Sequence, residues 1–146
     1  MKISLKIIVL IIMGLFYSVV SSTQEVVGTI VVRDAWVRAL PASIHHTAAY
    51  MTIENRTSID VVLRSASTIF ARSVEIHKME MVGDMMIMSK VDELRIPARG
   101  QLALQPNGFH LMMISLQKPL EAGDTVPIVL YFKGESSVAV QAVVHK

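Results

Sequence analysis

Two tripeptides carry the strongest chemical signal in this 146-residue chain, His77-Lys78-Met79 and His110-Leu111-Met112. Both are His-x-Met, and each falls in a run whose composition predicts a β-strand. Side chains two apart on a strand share a face, so each tripeptide turns an imidazole and a thioether the same way. Met88, separated from the first tripeptide by a Gly83-Asp84 turn, is a further thioether that a hairpin would bring within reach. Thioether sulfur is soft and uncharged and imidazole is borderline. That combination suits Cu(I) and holds Zn(II), Mg(II) or Ca(II) poorly. Methionine has no proton to lose and, unlike a thiolate, takes no part in disulfide exchange. Methionine also fills gaps in cores, and a strand histidine also serves as a hydrogen-bonded structural residue. Spacing alone therefore leaves a metal-free reading open.

The elements that must position these groups read as short β-type runs broken by turn residues, with no long 3.6-residue periodicity. The expected strands are Val26–Val32, Ala35–Arg38, Ala48–Glu54, Val61–Ser67, Ser73–Met81, Met85–Lys90, Gln101–Leu104, His110–Leu116, Val126–Phe132 and Ser137–Val144. Turn chemistry separates them at Asn55 to Ser58, Gly83-Asp84, Pro97 to Gly100, Pro106 to Gly108, Glu121 to Asp124 and Gly134-Glu135. Many short strands on a chain of this size predict an all-β fold, two antiparallel sheets closed as a Greek-key β-sandwich or barrel. The register of the hairpin at Gly83-Asp84 is not readable, because Lys78, Glu80 and Asp84 interrupt the alternation.

Residues 1–22 differ from the rest. Lys2 and Lys6 precede a nearly unbroken apolar run, Ile7 to Val20, followed by small residues at Ser21-Ser22. This reads as a signal peptide. The run is shorter than the roughly 20 residues that span a bilayer, which argues against stable membrane insertion. Residues 23–146 then form one exported domain. Lys2 and Lys6 account for the whole formal charge of +2, so the remainder is neutral and has no basic cluster for nucleic acid. Cysteine is absent, which excludes disulfides, thiolate chemistry and lipid attachment through a cysteine. Of 10 methionines, five (Met79, Met81, Met85, Met86, Met88) crowd into one short stretch.

The spacing also carries a resemblance. From His77, ten residues lead to Met88 and twenty-one more to His110-Leu111-Met112. This pattern is similar to the signature of the periplasmic copper chaperones called PCuAC. Ala35 to Arg38, Ala48 to Glu54, Val74 to His77 and Gly123 to Pro127 resemble the same family, so the likeness covers residues 30–144. It implies a cupredoxin-like β-sandwich or barrel binding one Cu(I) through His77, Met88, His110 and Met112, with Met79 as a reserve ligand. It further implies a monomeric, non-enzymatic carrier in the periplasm that delivers copper to the CuA centre of cytochrome c oxidase, on subunit II, alone or with a Sco-type thiol protein. Some members carry a His/Met-rich extension, whereas this sequence ends at His145-Lys146.

Three other functions compete with the carrier. Copper sequestration uses the same ligands. A blue-copper electron carrier needs a cysteine thiolate that this chain lacks. A metal-free interaction module would use the methionines as a sticky surface. His45-His46 are expected in a solvated loop, Met51, Met81, Met85, Met86 and Met113 as core or rim packing, and Trp36 as a core anchor with its indole N–H satisfied.

Overall fold

The structure, a computed structural model, describes residues 29–146. The expected signal peptide and the first residues of the strand expected at Val26–Val32 lie outside the described residues. Ten strands follow: β1 Ile30–Arg38, β2 His46–Asn55, β3 Val61–Ser67, β4 Ala71–Val82, β5 Met85–Lys90, β6 Leu94–Ile96, β7 Gln101–Leu104, β8 Phe109–Leu116, β9 Thr125–Phe132 and β10 Ser137–His145. Among the described residues every regular element is a strand. The sheet runs β5-β4-β8-β2-β1-β10-β9-β3-β6, and β3 closes on β4 through Ala66 and Val74. Seven strands thus form one closed barrel, where the sequence left sandwich and barrel open.

Alternation fills the interior with side chains. Val37, Ala49, Ile53, Leu63, Leu111, Met113, Val126, Ile128 and Leu130 are fully buried, each on the inward half of its strand's period of two. Met51 and Met113 are core residues, as expected.

Three features depart from the sequence reading. First, β1 and β10 pair in parallel, Trp36 with Val143 and Arg38 with His145, so the sheet is not purely antiparallel. Second, the two strands expected at Val26–Val32 and Ala35–Arg38 are one strand with a bulge. Arg33 pairs with Thr52 but Trp36 with Tyr50, and Asp34 takes φ 52°. The extra residue reverses the inward phase: Ile30 and Val32 face the core before it, Ala35 and Val37 after it. Trp36 is therefore turned outward, against expectation, and its ring lies 4.5 Å from that of Tyr50. Third, β6 was not anticipated. Its three residues, edged by Asp92 and Glu93, are too few to show a period.

Candidate metal centre

The Gly83-Asp84 turn aligns the methionine hairpin. Gly83 takes φ +62° and joins Val82 to Met85 as direct partners, the two-residue connection with a positive φ at its first position that suits strand twist. That register sets Met79 opposite Met88 and His77 opposite Lys90. On the other edge of β4, His77 pairs with His110 and Glu75 with Met112. Direct cross-strand partners share a face. Leu111 and Met113 point into the barrel, so His110 and Met112 point out, onto the face that carries His77.

The structure thereby gathers His77, Met88, His110 and Met112 on the outer face of β5-β4-β8. Met79, Met88, His110 and Met112 line a cleft of about 230 Å³, walled by Tyr50, Arg38 and His46 from β1 and β2. His77 does not line the cleft; its ring centroid is 5.9 Å from that of His110. This lets two ring nitrogens meet one ion, since metal–imidazole bonds run about 2 Å. Met88 is 46% exposed and His110 only 3%, so the site is rooted in a buried imidazole and opens to solvent on the hairpin side.

Each imidazole is held by the nitrogen that a metal would not need. His77 Nε2 donates to Glu75 Oε2 at 2.9 Å, and Lys90 steadies Glu75 Oε1 at 3.1 Å. The other ring nitrogen, His77 Nδ1, is buried and without a partner, a condition that buried polar atoms seldom tolerate. His110 Nδ1 donates to the Gly108 carbonyl at 3.1 Å, leaving Nε2 free. Metal-ligating histidines commonly make such a bond to a carboxylate or a carbonyl, which fixes tautomer and ring orientation. The Gly108 carbonyl also accepts the Met79 amide. It belongs to a short excursion, residues 105–108, between β7 and β8, which pair with successive halves of β2.

Electrostatics favour a neutral His110. Burial pushes the His110 pKa below its ordinary 6.5, and the His77 ring and the Arg38 guanidinium push the same way against the Gly108 hydrogen bond. The hydrogen bond from His77, then that from Lys90, hold the Glu75 carboxyl below the usual carboxylate range. His110 is thus neutral at neutral pH and ready to ligate. Among the described residues no three His, Cys, Asp or Glu side chains cluster as metal ligands.

Glu75, Gly108 and Tyr50 had no assigned role in the sequence reading. Glu75 was findable, because Glu75-x-His77 repeats the two-residue spacing of His77-x-Met79; the Gly108 contact depends on a loop that spacing does not describe. His46 begins β2 rather than lying in a loop, and it edges the cleft. Met81, Met85 and Met86 are not packing residues: they are exposed on the hairpin.

A family model described as "Putative lipoprotein LpqE-like" matches residues 30–144. The chain belongs to the LpqE-like family. A relative from Leifsonia xyli subsp. xyli, described as "Putative lipoprotein Lxx21020", is 32% identical over 107 residues, 73% of this chain and 63% of the relative. The LpqE-like chain thus spans less than two-thirds of that protein. This sequence contains no cysteine. Among solved structures, Cu(I)-DR1885 from Deinococcus radiodurans matches at 38% identity with a TM-score of 0.64, covering 86% of this chain and 83% of that one. A copper-bound PCuAC domain from PmoF2 matches with a TM-score of 0.68 at 21% identity, covering 83% and 95%. The fold of this LpqE-like chain is therefore the cupredoxin-like barrel of PCuAC domains, as the resemblance implied.

Proposed function

We propose that this protein is an exported copper chaperone that binds one Cu(I) through His77, Met88, His110 and Met112 and gives it up by ligand exchange. The observation that carries the reading is the unpartnered, buried Nδ1 of His77 opposite a His110 ring whose Nε2 is also free. Thioethers on the same face supply the softness. The Cu(I) form of its 38%-identical relative from Deinococcus radiodurans supports the choice of ion. The two thioethers carry no proton, so loading displaces none from the methionines, and a recipient offering thiolates would bind Cu(I) more strongly. That sets the direction of transfer. The recipient we propose is the CuA centre on cytochrome c oxidase subunit II, reached directly or through a Sco-type thiol protein, in the periplasm.

Metal preference tests the reading most directly. Under reducing conditions native mass spectrometry should show one retained Cu(I) or Ag(I), and dialysis should remove Zn(II). Equal retention of Zn(II) and Cu(I) would contradict a soft site.

Proton competition gives a second check. A depressed His110 pKa holds its imidazole neutral to lower pH than a free imidazole, so the loss of Cu(I) affinity due to His110 should be displaced toward acid and grow as pH falls through the lowered pKa. In the copper-free protein the same shift contributes stability that is present above pH 6.5 and lost as pH falls through the folded pKa. An affinity that does not fall with acid while the chain stays folded would remove His110 from the ligand set.

Met88→Leu separates a ligand from an apolar filler. Leucine is close in volume, so the swap should cost under about 1.5 kcal/mol. A lost Cu–S bond should nonetheless weaken Cu(I) binding by at least about tenfold. Met86→Leu, two residues along the same face, is the control and should leave the affinity of this site intact. The spacing argument has chosen the wrong methionine if the control weakens binding more.

A further inference from the structure

The hairpin of β4 and β5 carries methionines that neither the core nor the proposed copper site uses. His77 with Lys90, Met79 with Met88, and Met81 with Met86 are directly opposed pairs, three successive rungs on the face that bears the site. Beyond the pairing of Lys78 with Phe109, β4 has β5 as its only strand partner among the described residues. The outermost rung therefore extends past the barrel. Met81 is 59% and Met86 44% exposed, too open for either to be filling a core. Leucine or valine would serve the strand as well. What methionine adds is a sulfur lone pair on a flexible arm. Directly opposed Cβ atoms lie about 5 Å apart, so two such arms can close on one ion. Adjacent rungs are about 7 Å apart along the strand.

We propose that Met81 and Met86 form a second, weaker soft-metal station, a two-thioether site that exchanges Cu(I) with the Met79–Met88 rung. The proposal rests on the copper-carrier reading. Each step forms one Cu–S bond as another breaks; the ion stays Cu(I), and the thioethers hold no proton to release. With two donors and no imidazole, the station is occupied only once the main site is full, or in passing as the ion enters or leaves.

Ag(I), a redox-inert stand-in, tests this in the whole chain labelled with ¹³C at the methionine methyls. The first equivalent should shift the Met88 and Met112 methyls, and the second should shift Met81 and Met86 together. The double variant Met81→Leu/Met86→Leu keeps the apolar surface and should retain the first response, which also reports an intact fold, while losing the second. A second equivalent that leaves Met81 and Met86 unmoved overturns the station. So does a double variant that takes up the second ion as the unmodified chain does. A first equivalent that leaves Met88 and Met112 unmoved counts instead against the main site, and the separately resolved methyls distinguish the two failures.

Discussion

His110→Ala is expected to lower the affinity for Cu(I) by at least about a hundredfold, the largest effect of any single substitution at the site. Loss of a group that merely orients a metal-bound histidine already costs about 10- to 100-fold, and here the proposed ligand itself is removed. His110 is also the most deeply buried of the four proposed donors, 3% exposed, so no solvent-facing side chain can take its place without rebuilding the cleft. Competition with a colorimetric Cu(I) chelator measures the change. Far-ultraviolet circular dichroism of the copper-free variant separates it from misfolding. In a deletion strain grown under copper limitation, the unmodified chain should restore oxidase activity and His110→Ala should not. An affinity within about threefold of the unmodified chain would remove His110 from the ligand set.

The second large effect belongs to stability, at the other end of β2. Asn55 is 1% exposed, and its Nδ2 donates to the carbonyls of Ile59, Ile96 and Pro97 at 2.8, 3.1 and 3.0 Å. Its Oδ1 accepts the Thr57 amide at 3.0 Å and lies 2.7 Å from the Thr57 hydroxyl. One side chain thereby ties the end of β2 to the approach to β3 and the exit of β6. Asn55→Ala leaves several of these groups without partners, and each buried unsatisfied group costs about 1–3 kcal/mol. A loss of about 3 kcal/mol or more is expected, with Tm lower by about 10 °C or more. The remaining folded protein should bind Cu(I) unchanged. A Tm within about 3 °C of the unmodified chain would show that water or a neighbour replaces the amide.

What the sequence revealed, and what it withheld, follows from the range of the forces involved. Strands such as Val61–Ser67 and Met85–Lys90 were readable to the residue, because alternation and turn chemistry are local. The bulge at Asp34 was not, since one inserted residue looks like a turn between two strands. Its consequence, Trp36 facing outward over Tyr50, was missed with it. The parallel pairing of β1 with β10 joins residues far apart in sequence, with no local pattern to announce it. At the site, the faces of His77, Met79, His110 and Met112 followed from a period of two. The cross-strand register did not: His77 opposite His110 depends on the excursion at residues 105–108. Met81 and Met86 show the limit most clearly, since hydrophobicity suggested packing and only the overhang of the hairpin puts them in solvent.

The parallel pairing of β1 with β10 bears on how the molecule can form at all. Trp36 meets Val143, so this seam joins residues from nearly opposite ends of the described chain and carries a large loop-closure cost. The β4–β5 hairpin, by contrast, is local enough to form in about 1–10 μs. A nascent chain interrupted before Ser137 would leave β1 and β9 each with an unpaired edge, the arrangement most prone to join another chain. Assembly should accordingly be slow, with the barrel completed only when the last strand arrives.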